Sequence, residues 1–135
     1  MKTPQQLIEQ YGPRETMDYD VAIVGAGPAG LACAIRLKQI AAESGREISV
    51  VVLEKGAEPG AHILSGAVMD PRALTELIPD WKERGAPVNQ PVTGDKIIFL
   101  AGDGGTATTP SFVVPECMHN DGNYVVALGS LVKWM

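Results

Sequence analysis

The sequence is short of three things, and each shortage narrows what the chain can be. Cysteine is scarce: Cys33 and Cys117 are the only two. They show neither metal-ligand spacing nor a disulfide framework, which points to a reduced setting. Positive charge is scarce as well, since 11 Lys and Arg stand against 16 Asp and Glu for a net charge of −5. With no basic stripe to meet phosphates, nucleic acid is excluded as a partner and an anionic membrane surface is disfavoured. Long apolar runs are missing altogether, and no stretch approaches the ~20 residues that span a bilayer. Met1 to Asp18 carries only Lys2 and Arg14 among Gln, Glu and Pro, so it has neither the apolar core of a secretory signal nor the Arg-rich, acid-poor character of a transit peptide. Residues 1–18 read as a polar lead-in. No internal repeat or low-complexity tract divides the rest, and 135 residues make one domain or part of one.

What is present is concentrated between Tyr19 and Glu54. An apolar strand, Tyr19-Asp20-Val21-Ala22-Ile23-Val24, runs straight into Gly25-Ala26-Gly27-Pro28-Ala29-Gly30. Gly25 permits a tight turn, Gly27 lets backbone approach a pyrophosphate, and Gly30 lets the following helix pack closely on the strand. The start of that helix offers unpaired N–H groups and the positive end of its dipole, so no basic side chain is needed. Pro28 suits the first helical turn.

Leu31, Ala34, Ile35, Ile40 and Ala41 then recur at helical spacing, with Arg36, Lys38, Gln39 and Glu43 mostly between them and Gly45 as a stop. Ile48 to Leu53 is an almost unbroken β-branched run, the pattern of a parallel strand covered on both faces. Glu54 follows at its carboxyl end, 24 residues after Gly30, where a carboxylate accepts both hydroxyls of an adenosine ribose. A 2′-phosphate would meet that charge, which disfavours NADP. Strand, turn, helix, strand and acid in this order imply an α/β, Rossmann-like site for an adenine dinucleotide.

The second half is less regular. Gly56 to Gly66 is a small-residue loop suited to lying against a flat ligand. Asp70-Pro71 reads as an N-cap and first-turn proline for a helix to about Ile78, stopped by Pro79. Trp81 to Pro91 reads as a turn-rich linker. Lys96 to Leu100 and Ser111 to Val114 read as strands of a hairpin joined through Gly102-Asp103-Gly104-Gly105. Ser130 reads as the cap of a helix beginning at Leu131, within whose first turns the sequence stops.

Several runs in this half carry a family resemblance. They are Gly60-Ala61-His62-Ile63-Leu64-Ser65-Gly66-Ala67, Pro79-Asp80-Trp81-Lys82-Glu83-Arg84-Gly85-Ala86-Pro87, Pro91-Val92-Thr93, and Gly122 to Gly129 followed by Val132-Lys133-Trp134-Met135. From Asp18 to Met135 the chain resembles the amino-terminal part of electron transfer flavoprotein-ubiquinone oxidoreductase. The resemblance implies an FAD-binding domain of the glutathione-reductase-like type over residues 19–135, with an added β-hairpin region, incomplete and cut within a helix near 130–135.

It further implies an FAD-dependent enzyme that passes electrons from reduced electron transfer flavoprotein to ubiquinone through FAD and a [4Fe-4S] cluster. The family's cluster ligands and membrane-contacting parts lie in later sequence, so Cys33 and Cys117 are not assigned as ligands. A place on the cytoplasmic face of a bacterial inner membrane is implied for the full-length protein, with this stretch itself soluble. Residue by residue, Gly25, Ala26, Gly27, Ala29 and Gly30 fall on the FAD pyrophosphate turn and Glu54 on the ribose. Ala61, His62, Leu64, Ser65 and Gly66 fall on the loop beside the flavin. No general acid, base or nucleophile is assigned, because electron transfer depends on cofactor placement. Two alternatives stand beside this reading: another FAD enzyme, of monooxygenase or geranylgeranyl reductase type, and a truncated product with no activity of its own.

Overall fold

A computed structural model describes residues 2–13, 16–64 and 66–135. The lead-in is more ordered than its polarity suggests, because Pro4–Tyr11 forms helix α1. Thr3 and Gln6 explain it: the Thr3 hydroxyl accepts the Gln6 N–H at 3.3 Å, and the Gln6 side chain accepts the Thr3 N–H at 2.9 Å. That reciprocal box, with Pro4 in the first turn, satisfies the helix start locally. The helix buries no residue, so apolar periodicity gave no sign of it.

Strand β1 (Val21–Val24), helix α2 (Pro28–Glu43) and strand β2 (Val50–Leu53) follow as the glycine pattern requires, with β1 and β2 parallel. Register is pinned just before the strands begin. Ser49 donates its N–H and hydroxyl to Asp20 Oδ2 at 2.8 and 2.7 Å, and its hydroxyl oxygen accepts the Asp20 N–H at 2.9 Å. Val21 therefore sits opposite Val50 and Val24 opposite Leu53. Helix α2 ends in a Schellman turn, with the Arg46 N–H bonded to the Ala41 carbonyl and the Gly45 N–H to that of Ala42.

One expectation fails here. The β1–β2 pair is covered by α2 on the face of Ile23, but the opposite face is open among the described residues: Val24 is 85% exposed and Leu53 54%. Apolar strand sequence alone reports what a strand is suited to, not what lies over it.

The centre of packing lies instead in the second half. Strand β3 (Gly66–Met69), helix α3 (Arg72–Leu77), strand β4 (Gln90–Pro91), strand β7 (Tyr124–Ala127) and helix α4 (Leu128–Trp134) surround Leu74, Ile78, Trp81, Ala86, Val88, Val126 and Leu131. Antiparallel β3 and β4 flank β7 on either side. Pro91 is tolerated because β4 is an edge strand. The supposed linker Trp81 to Pro91 thus contributes to the core: Trp81, Ala86 and Val88 are buried while Lys82 to Gly85 face solvent, and Trp81 meets Tyr124 edge-on with ring centroids 5.9 Å apart while donating its indole N–H to Thr75. Gln39 on α2 donates to the Leu77 carbonyl at 2.7 Å, tying this half to the first.

Three further boundaries move. Asp70 accepts the Arg72 N–H at 2.9 Å, but Pro71 occupies the cap position and α3 starts one residue later. Helix α4 begins at Leu128 with no side-chain cap, so Ser130 lies inside it. The antiparallel partner of β5 (Ile98–Leu100) is β6 (Thr106–Thr108), not Ser111 to Val114. Ser111–Val113 and Glu116–Met118 are single 3₁₀ turns following Pro110 and Pro115, two residues that lack the N–H a strand ladder needs. Asp95 closes this region, accepting the Asn120 N–H and side-chain amide, both at 2.7 Å.

Candidate functional site

The site is built where β1 ends. Gly25 adopts φ +99°, a value an L side chain resists, and its N–H is bonded to the Leu53 carbonyl at 2.7 Å. A Cβ on Gly30 would stand 2.0 Å from the Gly25 carbonyl oxygen and 3.3 Å from Ile23 Cγ2, so the helix touches the strand through a glycine. A Cβ on Gly27 would meet nothing within 4 Å. The space above Gly27 is open to a ligand. Leu31 N–H bonds to the Gly27 carbonyl as the first bond of α2. Helix geometry therefore leaves the N–H groups of Ala29 and Gly30 without an intrahelical partner, and Pro28 has none to leave. This cradle fits an anionic diphosphate without help from a basic side chain.

Glu54 closes the other side. Its Oε2 accepts the Ala26 N–H at 2.8 Å and its Oε1 accepts the Gly56 N–H at 2.7 Å. The Gly56 bond, then the Ala26 bond, hold its carboxyl below the usual glutamate range, with a smaller contribution from the His62 charge. A carboxylate has about four lone-pair sites, so acceptor capacity remains for hydroxyl groups.

Asp20 and Asp95 are held low in the same way, by Ser49 and Asn120 respectively. For a carboxylate whose folded pKa lies below its unfolded one, the stabilisation is present above the unfolded value and is lost as pH falls through the folded one. Urea midpoints are therefore expected to be flat from neutral pH down to about 4 and to drop below it. A midpoint that rises on acidification would contradict these three bonding patterns.

The loop after β2 forms one wall of a cleft of about 420 Å³. Ala61, Leu64 and Gly66 line it, while His62 does not and is exposed. Ser65 lies outside the described residues. The opposite wall, which the sequence did not suggest, comes from Gly129, Ser130 and Lys133 of α4. The two walls touch through backbone: a Cβ on Gly60, at φ +82°, would lie 2.6 Å from the Gly129 carbonyl oxygen. Lys133 also pairs with Glu58 across the cleft mouth. No local pattern announces such a meeting of two distant glycines, though both stood in runs that carried the resemblance. Among the described residues no cluster of three His, Cys, Asp or Glu could hold a metal ion, and both cysteines are exposed.

Residues 23–81 match the family model described as NAD(P)-binding Rossmann-like domain. Over 122 residues, 90% of this chain, the sequence is 63% identical to an electron transfer flavoprotein-ubiquinone oxidoreductase of Pseudomonas aeruginosa. The match falls on the amino-terminal part of such relatives. Mitochondrial electron transfer flavoprotein-ubiquinone oxidoreductases are similar too, at 52% identity over 94% of this chain in Dictyostelium discoideum and 56% over 86% in Mus musculus. The chain spans only 22%, 20% and 18% of the lengths of these three electron transfer flavoprotein-ubiquinone oxidoreductases. The Rossmann-like reading of the first half therefore has independent support in both the family model and the β1–turn–α2–β2 geometry. No helix among the described residues is long and apolar enough to cross a membrane.

Proposed function

We propose that this chain is the FAD-binding part of an oxidoreductase that passes electrons from reduced electron transfer flavoprotein to ubiquinone. The observation that carries the reading is the meeting of Glu54 with the glycine turn, 2.8 Å from the Ala26 N–H, in a chain 63% identical to a relative of that name. In this reading residues 19–135 form part of a glutathione-reductase-like FAD domain. Gly27, Ala29 and Gly30 hold the pyrophosphate, Glu54 takes the ribose hydroxyls, and Ala61, Leu64, Ser65 and Gly66 run beside the flavin, with His62 at its edge. FAD supplies the electron-accepting ring, and the chain's residues supply its placement. The [4Fe-4S] ligands and the membrane contact belong to the rest of the full-length protein, on the cytoplasmic face of the inner membrane.

On its own the chain is proposed to hold FAD weakly and to have no activity, because the sheet face at Val24 and Leu53 is uncovered and Leu64 is 97% exposed at the cleft. Calorimetric titration tests the adenosine half separately. ADP is expected to bind at least about tenfold more tightly than its 2′-phosphorylated form, since the added charge faces Glu54. Equal affinities would remove Glu54 from the ribose, and no ADP binding would remove the dinucleotide reading. Stoichiometric yellow flavin on the purified chain would overturn the proposal that the isolated chain holds it weakly.

A further inference from the structure

The Ala26 N–H sits at a residue only 3% exposed, in the middle of the glycine turn. A buried N–H requires an acceptor, and the one it finds is a side chain 28 residues away in sequence, Glu54. The second carboxylate oxygen is tied to Gly56, which prevents the group from swinging out of the turn. Gly56 is shaped to permit this: a Cβ there would lie 3.2 Å from Glu54 Oε1 and 3.3 Å from the Ala61 Cβ, crowding the carboxylate from one side and the following loop from the other. The Gly25 N–H is likewise taken, by Leu53. Two of the N–H groups in the turn are thus spent inside the protein.

We propose that Glu54 is a positioning residue for the glycine turn, bracing it against the loop after β2 before any ligand arrives. Ala26 then takes no part in phosphate binding through its N–H, which falls to Gly27, Ala29 and Gly30, and the ribose acceptor and the phosphate cradle form one connected unit. The bracing stands without a ligand; only its consequence for phosphate and ribose rests on the dinucleotide reading above.

Amide hydrogen exchange by NMR on the ligand-free 135-residue chain tests it. In Glu54→Ala the Ala26 and Gly56 amides should exchange about tenfold faster or more, while those of Gly25 and Val21, bonded to Leu53 and Ser49, keep their rates. Glu54→Gln, which retains a single carbonyl acceptor, should deprotect only one of the pair. Unchanged Ala26 exchange, or a uniform rise across all four amides, overturns the proposal. A measurement on the unmodified chain covers the case of a variant that does not fold: the Ala26 and Gly56 amide shifts should follow acid titration with one shared midpoint. Different midpoints, or no titration, overturn it equally. ADP titration of the same sample separates the two ideas, since its failure sinks the dinucleotide reading and leaves the exchange pattern untouched.

Discussion

Gly27→Ala is expected to leave the fold intact and abolish ADP binding, while Gly30→Ala is expected to destabilise the fold itself. The two glycines sit three residues apart in one motif, yet their surroundings differ. At Gly27 the backbone has φ −80° and ψ −179°, which alanine adopts freely, and the new methyl enters empty space. Stability should hold or rise by about 0.4–1 kcal/mol through the loss of unfolded-state freedom. The same methyl would occupy the approach of a pyrophosphate, so affinity for ADP should fall below detection. At Gly30 the methyl would overlap the Gly25 carbonyl oxygen at 2.0 Å, and the helix must move off the strand to admit it. Overpacking of this kind costs about 1–3 kcal/mol or more, and backbone as the obstacle places Gly30 at the upper end. Urea denaturation paired with calorimetry reads both effects. Equal destabilisation by the two substitutions would contradict the division between a glycine needed by the ligand and one needed by the helix.

Trp81→Ala is expected to cost about 3–5 kcal/mol, a large share of the ~5–15 kcal/mol that holds a typical domain together. Trp81 is 4% exposed within the principal apolar cluster, packs edge-on against Tyr124 and gives its N–H to Thr75. Removing it leaves a cavity under β7 and a Thr75 hydroxyl without its donor. Because β7 leads directly into α4, whose Gly129 meets Gly60, the damage should extend to the cleft and appear as faster amide exchange in β7. A loss under about 1 kcal/mol in urea denaturation would show that the cluster can close over the gap.

The half of the chain that could be read from sequence is the half in which each residue has a local reason. Gly25 needs its positive φ, Pro28 suits a first helical turn, Gly45 closes a Schellman turn, and the mostly β-branched run at Val50–Leu53 pairs in parallel. Elsewhere the causes are distant or leave no apolar pattern. Thr3 and Gln6 did carry a local sign of α1, but a helix that buries nothing has no apolar stripe to draw attention to it. Trp81, Ala86 and Val88 lie among turn-forming residues, and turn chemistry describes how the chain bends without saying which side faces inward. Strands β3 and β7 are stabilised by pairing with each other across more than fifty residues, so although Tyr124-Val125-Val126 favours a strand, neither four-residue run names its partner. For the site the pattern repeats. The turn and Glu54 were legible together, the loop at Gly56 to Gly66 was legible as small-residue chain suited to a flat ligand with its individual residues assigned only through family resemblance, and the α4 wall was not legible as a wall, since Gly129, Ser130 and Lys133 acquire that meaning only opposite Gly60 and Glu58.

The contact between Gly60 and Gly129 sets the gauge of the cleft. Where side chains separate two walls, each substitution widens or narrows the gap by the size of the group exchanged. Here main chain rests on main chain, at a spacing fixed by the radii of backbone atoms. Residues along the rim, such as Leu64 and Ser130, can therefore vary in polarity and bulk and so change what the cleft prefers, while its aperture stays constant.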